Sequence, residues 1–458
     1  MNSPSQQGVG KGHGRNLTQI LTLAVILVLY SRAFPYSVLT HEEIVDLVWL
    51  DEIRPLLLKR FPLTTEDQMK EAHAYAYGGA VIQDLGYYPF GSKEFSDLTH
   101  YVRSGDFVRE LLRESEDVNE FAFALGALAH YSSDISGHPT VNHAVALEYP
   151  RLRAKYGDSV RYAQNKTAHL KVEFGFDTVQ VAKNRYAPQQ YHDFIGFQVS
   201  KPLLERAFPV VYGMELKDVI PSEDLAIGTY RFAVSKVIPQ VTQVALRANK
   251  KALKREYPDF AKQKFLYRLS RSDYEREWGR TYQRPGLGVR ILATIFRVIP
   301  KIGPFKALAF NSPTVRTEDM YFKSINLTVD QYRSLLHEVG NHSLRTENCD
   351  LDDGKSTEPG EYSLADETYA KLLQQLSARQ FNEVTPELRK NITDFYSNRS
   401  SLSDTKRKPD EWRNLEKELQ QLKAANLQQV SPSLVTVSGR QSEPSSAEPL
   451  ATTCESSR

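Results

Sequence analysis

Apolar residues along this chain recur at spacings of three to five and rarely alternate, a pattern that predicts helices. Thr40-His41-Glu42-Glu43 opens the first helix, with Ile44, Leu47, Val48 and Ile53 repeating along it. Thr40 is placed as its N-cap and Glu43 as the other half of a capping box. Residues 72 to 85 show no alternation and hold the pair Gly78-Gly79; residues 86 to 92, GYYPFGS, read as a turn with three aromatics. Residues 119 to 136 form a strongly apolar helix that Gly137 and Pro139 are expected to close. Further helices are predicted over 167–181, 202–208 and 225–250. No convincing β alternation occurs in the first 255 residues, so the expected fold class is all-α.

Beyond residue 256 the pattern changes. Residues 262–284 are dense in charge and tyrosine, and 285–313 are apolar but punctuated by Arg290, Arg297, Lys301 and Lys306. Such a segment suits either a lipid surface or a buried hairpin. Residues 344–361 read as a loop, with Asp350 to Asp353 as a solvated acidic stretch. Two helices follow, over 364–381 and 409–425, the second with Trp412, Leu415, Leu419 and Leu422 on one face. The Ser/Pro/Thr/Glu-rich residues 428–458 are expected to be disordered.

At the other end, a polar leader with Lys11 and Arg15 precedes the apolar run ILTLAVILVLY from Ile20 to Tyr30. That run is short for a membrane-spanning helix and suits a signal peptide, with Ser31-Arg32-Ala33 at the cleavage region. The expectation is an exported protein, secreted, periplasmic or cell-surface; a retained N-terminal anchor is the alternative.

The 458 residues are 41% hydrophobic and carry a net charge of +2, which supports a packed core and gives no compositional case for nucleic acid as partner. Only Cys349 and Cys454 are cysteines, so a cysteine-rich metal site is excluded and any metal must be held by nitrogen and oxygen.

Candidate chemistry sits in two helical clusters. His130, Asp134 and His138 follow one another at steps of four, about 40° apart around a helix axis, and so share one stripe. His169 and Glu173 repeat the spacing. Polar groups on so apolar a helix must be paired or metal-bound, and imidazole with carboxylate at this spacing suits Zn2+. Asp84 and His100 flank the aromatic turn. His73 and His143 stand beside the pattern as structural or supporting residues, and His192, His337 and His342 read as surface or packing residues.

Five segments in order carry a resemblance: Ser37-Val-Leu-Thr-His41-Glu-Glu-Ile; Gly79-Ala-Val-Ile-Gln-Asp84-Leu-Gly-Tyr-Tyr-Pro-Phe; Asp97-Leu-Thr-His100; His130-Tyr-Ser-Ser-Asp134-Ile-Ser-Gly-His138; and His169-Leu-Lys-Val-Glu173-Phe-Gly-Phe-Asp177. From about residue 36 to 183, and more loosely to 251, the chain resembles the zinc-dependent phospholipase C/D family, related to glycosylphosphatidylinositol-specific phospholipases D and to single-strand-specific zinc nucleases. The resemblance implies two to three zinc ions. One would take Asp84, His100, His130 and Asp134; a second His138, His169 and Glu173. A third would take His41, Asp134 as a bridge, and the terminal amine and carbonyl of a mature chain starting at Tyr36. The peptidase signal points instead to Phe34.

The domains expected on this basis are a leader or anchor over 1–35, a catalytic domain over 36–255, a mostly helical region over 256–427 and a tail over 428–458. The implied activity is hydrolysis of a phosphodiester by metal-activated water, most simply in a phospholipid, with Asp84 as candidate base and Tyr87, Tyr88 and Phe90 lining the substrate pocket. A nuclease acting on single strands and a non-catalytic zinc or lipid-binding protein are the alternatives.

Overall fold

The computed structural model describes residues 38–182, 195–238, 313–397 and 408–425. The leader, Tyr36, His192, nearly all of 285–313 and the tail lie outside them. The described residues are mostly helical with almost no strand, as the apolar spacing predicts. Helix α1 (Val38–Val48) runs through a π turn (Trp49–Ile53) into α2 (Arg54–Arg60), and α3 (Glu66–Gly79) leads into a 3-10 turn (Ile82–Tyr87). Then come α4 (Lys93–Tyr101), α5 (Ser104–Glu114), the long α6 (Val118–Glu148), α7 (Pro150–Tyr156) and α8 (Lys166–Ala182). Helices α9 (Lys201–Tyr212), α10 (Leu216–Val219) and α11 (Glu223–Phe232) precede α12 (Val315–Gly340). A two-residue strand pair, Cys349–Asp350 with Lys355–Ser356, lies ahead of α13 (Ser363–Ala378), α14 (Pro386–Phe395) and α15 (Pro409–Ala424). Among the described residues no helix is long and apolar enough to cross a membrane.

Helix α6 is the axis. Its apolar residues are buried all round, and α3 and α12 pack along it. Close approach needs residues without side chains. A Cβ on Gly79 would lie 1.9 Å from the Phe123 carbonyl oxygen, and one on Gly126 would lie 2.1 Å from that of Ala76. Because the obstacle is backbone in both cases, the helices would have to part. Gly126→Ala is therefore expected to cost at least about 1–3 kcal/mol, the usual overpacking range. It should also disturb His130, whose ring is tied to α3's end. Denaturant unfolding reads this directly, and a midpoint equal to wild type would mean that the helices are not held so closely.

Three expectations are corrected. Thr40 is no N-cap, because α1 is already helical at Val38; its hydroxyl instead donates to Asp177 (2.8 Å), with the Tyr321 hydroxyl 2.6 Å away. Tertiary partners 137 and 281 residues distant have taken the group a local cap would use. Helix α6 does not close at Gly137 and Pro139 but continues to Glu148. Proline deprives the Ile135 carbonyl of its helical donor. The helix survives because Val141, Ala144 and Val145 continue the buried face and Gly354 packs so tightly on that carbonyl that a Cβ there would come within 2.3 Å of it. Thirdly, Asp350 to Asp353 are not solvated: Asp350 and Asp352 are buried to within 2% and Asp353 is nearly so.

Helix α12 carries apolar residues at helical spacing (Tyr321, Ile325, Val329, Tyr332, Leu336) that were not recognised as a helix in the sequence. On α15, Leu415, Leu419 and Leu422 are buried and Trp412 is partly so, as their shared face predicts. The helices before residue 239 and those after 313 share one hydrophobic core.

Candidate metal centre

Helix α6 fixes three polar side chains on one stripe, and four other elements bring theirs to it. His41 comes from α1, Asp84 from the 3-10 turn, His100 from α4, and His169 with Glu173 from α8. All eight are buried. Three groups have ligand atoms within 4.8 Å of one another: His41, His130 and Asp134; Asp84, His100 and His130; and His138, His169 and Glu173.

Asp134 stands at the centre. Its Oδ1 is 3.5 Å from His41 Nε2 and 3.6 Å from His138 Nε2. Its Oδ2 is 3.1 Å from His130 Nε2 and 3.5 Å from His100 Nε2. The second oxygen thus faces the ligands expected at one zinc, and the first faces His41 and His138. Asp84 Oδ1 lies 3.4 Å from His100 Nε2.

These separations test the fit to zinc. Hydrogen bonds between such groups would be 2.7–2.9 Å. Two ligands of a tetrahedral zinc, each about 2.1 Å from the ion, stand about 3.4 Å apart. Neither carboxylate oxygen of Asp84, Asp134 or Glu173 has a hydrogen-bond partner, and neither do His100 Nε2, His130 Nε2 and His169 Nδ1. Buried polar atoms left in that condition are costly unless something else satisfies them. An all-nitrogen-and-oxygen donor set with open lone pairs converging at this spacing fits zinc.

Each ring is oriented by its far nitrogen. His100 Nδ1 donates to the Ser96 carbonyl (2.7 Å), and His130 Nδ1 to the Ala80 carbonyl (3.0 Å). Both therefore present Nε2 inward. His169 is reversed: Nε2 donates to Asn142 Oδ1 (2.9 Å), and Nδ1 faces Glu173 Oε1 at 3.0 Å.

The electrostatics follow from burial. It pushes the Asp84 carboxyl up and that of Glu173 well up, and it pushes His169 down to about 4. His41 is driven well down by burial and by neighbouring His130. Asp134 resists burial because His130 and His138 hold its carboxyl well below the usual range, and His100 is raised against burial by Asp134 and Asp84.

A family model described as zinc dependent phospholipase C matches residues 40–220. That segment belongs to the zinc dependent phospholipase C family. No curated protein and no solved structure matches the chain. All eight buried side chains lie within the phospholipase C segment.

The other candidates are dispersed. Tyr87 is buried with its ring 6.1 Å from that of His100, whereas Tyr88 packs edge-on against Tyr230. Phe90 sits at φ 65° with 54% of its surface exposed. His73 is structural: it pairs with Asp46 at 2.9 Å under a stacked Trp49. His143 donates to the Asp158 carbonyl, and His337 meets Glu52 on the surface.

Two residues near the candidate metal centre went unread in the sequence. Asn142 is one further step of four beyond His138, a spacing that signals its place on the stripe. Asp352 lies outside the segment, and no spacing rule reaches it. Beside it, Asp350, Asp353 and Glu361 come together, but Arg161 bonds both Asp353 and Glu361 at 2.9 Å and Lys355 bonds Glu361. This acidic group is an ion-pair network that clamps the loop.

Proposed function

We propose that this chain is an exported zinc-dependent phosphodiesterase that hydrolyses phospholipid. The observation that carries this reading is the convergence of eight buried side chains from five elements on Asp134 at metal-ligand spacing. Asp84, His100, His130 and Asp134 would hold one ion, and His138, His169 and Glu173 a second. His41 with Asp134 would hold a third, completed by the mature terminus at Tyr36. Zinc supplies a Lewis acid that activates water and neutralises charge on the phosphate oxygens. Asp134 divides its two oxygens between groups of histidines and so sets their separation. The hydrogen bonds from His100 and His130 to backbone carbonyls keep their tautomers fixed. Asp84, a buried carboxylate 3.4 Å from His100 Nε2, would be the base that takes the water's proton. Tyr87 is the member of the aromatic turn best placed to meet substrate beside His100.

Metal analysis of the mature protein, with assays on phosphatidylcholine, an inositol lipid and single-stranded DNA, tests this. Two to three zinc ions and lipid turnover are expected. Zinc with cleavage of DNA alone would make it a nuclease, and zinc with no turnover a binding protein. One zinc or none would overturn the centre itself. N-terminal sequencing of exported protein should give Tyr36; a stable Phe34 start with three bound zincs would mean that another group fills the terminal position.

A further inference from the structure

We infer that Asp352, more than 130 residues beyond the end of the family segment, is a positioning residue for the zinc ligand His138. This rests on the zinc reading above. Asp352 is 2% exposed, and its two oxygens have different surroundings. Oδ2 accepts hydrogen bonds from the Tyr101 hydroxyl (2.8 Å) and the Tyr362 hydroxyl. Oδ1 faces His138 Nδ1 at 3.7 Å. That distance exceeds a hydrogen bond, so the contact in this structure is an alignment of the carboxylate oxygen with the ring nitrogen. The opposite ring nitrogen, Nε2, points at Asp134 Oδ1 (3.6 Å) and Glu173 Oε1 (3.9 Å). A carboxylate behind an imidazole whose other nitrogen faces a metal group fixes the tautomer and raises the basicity of the ligand.

The same residue reaches the other imidazole of that group. Its backbone carbonyl accepts from Asn142 Nδ2 (3.0 Å), and Asn142 Oδ1 in turn accepts from His169 Nε2. The neighbouring Leu351 N–H donates to the His100 carbonyl at 3.1 Å. Arg161 holds the loop on the C-terminal side of Asp352 through Asp353 and Glu361. The carboxylate is thus delivered by a clamped loop, with two tyrosines setting which oxygen is turned to His138. A role merely as acceptor for the tyrosines would account for Oδ2 but not for the alignment of Oδ1.

Asp352→Asn keeps the shape and an acceptor for the tyrosines while removing the charge. Chelator competition on the full-length protein should show zinc held about 10- to 100-fold more weakly at one site. The visible spectrum of the Co2+-substituted protein should change, and the melting temperature of the metal-free protein should not. Tyr362→Phe, which leaves the carboxylate in place, should have the smaller effect on zinc affinity. Equal zinc affinity and an unchanged cobalt spectrum in Asp352→Asn would overturn the assignment. So would a loss of affinity matched by an equal loss in Tyr362→Phe with a lowered metal-free melting temperature. Failure of the wild type to bind zinc would instead sink the zinc reading. Should Asp352→Asn not fold, histidine-selective 15N NMR of the zinc-loaded wild type still decides. The His138 proton is expected on Nδ1, and a proton on Nε2 would overturn the assignment.

Discussion

Asp134→Ala is expected to abolish turnover, reduce bound zinc by at least one ion, and destabilise the metal-free protein by about 3–5 kcal/mol. The last figure is the usual cost of removing one partner from a buried charged cluster. Four imidazole nitrogens stand 3.1–3.6 Å from its two oxygens, so this one side chain serves four neighbours in the centre. Without it, His100 loses one of the carboxylates that hold its pKa up, and His41 loses an attraction that opposes its desolvation. Metal ions held on either side would also face each other without an intervening anion. Elemental analysis, thermal melting and a lipid assay on one preparation check all three effects. A variant with full zinc content and wild-type turnover would remove Asp134 from the centre.

Stripping the metal is expected to lower the melting temperature strongly, and restoring zinc should release protons. A ligand present at a thousandfold excess over its dissociation constant stabilises the folded state by about 4 kcal/mol for each site. The proton balance follows from the directions of the shifts. Asp84 and Glu173 are raised by burial, and His100 is raised by its carboxylate neighbours, so these groups hold protons above their usual ranges in the metal-free protein. Zinc needs their lone pairs and must displace those protons. His41 and His169 are lowered by burial and arrive already neutral. Apparent zinc affinity should therefore rise with pH through the raised pKa values and fall as acid is added. Calorimetric titration in buffers of different ionisation heat counts the protons; none released near neutral pH would contradict this electrostatic picture.

The site was legible in the sequence to the extent that its spacing is local. His130, Asp134 and His138 share a stripe because a helix repeats every 3.6 residues, and His169 with Glu173 obeys the same rule. Asp84 and His100 were noticed only as flanking the aromatic turn, and their roles, like that of His41, came from resemblance, since no periodicity joins three residues on separate elements. Asn142 lay on the same stripe and could have been read from it. Asp352 could not. The misread helix end at Pro139 has a related cause, because a local rule about proline was outweighed by burial beyond it and by packing of Gly354 upon it. Thr40 shows the same competition at a helix start, where Asp177 and Tyr321 took over a hydroxyl with a strong local preference.

The packing of α12 along α6 bears on how this protein can be cut. Tyr332 donates to the Leu125 carbonyl within α6, and Ser132, two residues past His130, donates to the Thr328 carbonyl. An expression fragment ending where the family segment ends would strip that wall from the metal-bearing helix and leave its apolar flank open to solvent. The shortest soluble fragment would then have to run past α12 and the Asp352 loop into the closing helices, and a boundary drawn at the edge of the recognisable homology would yield aggregate.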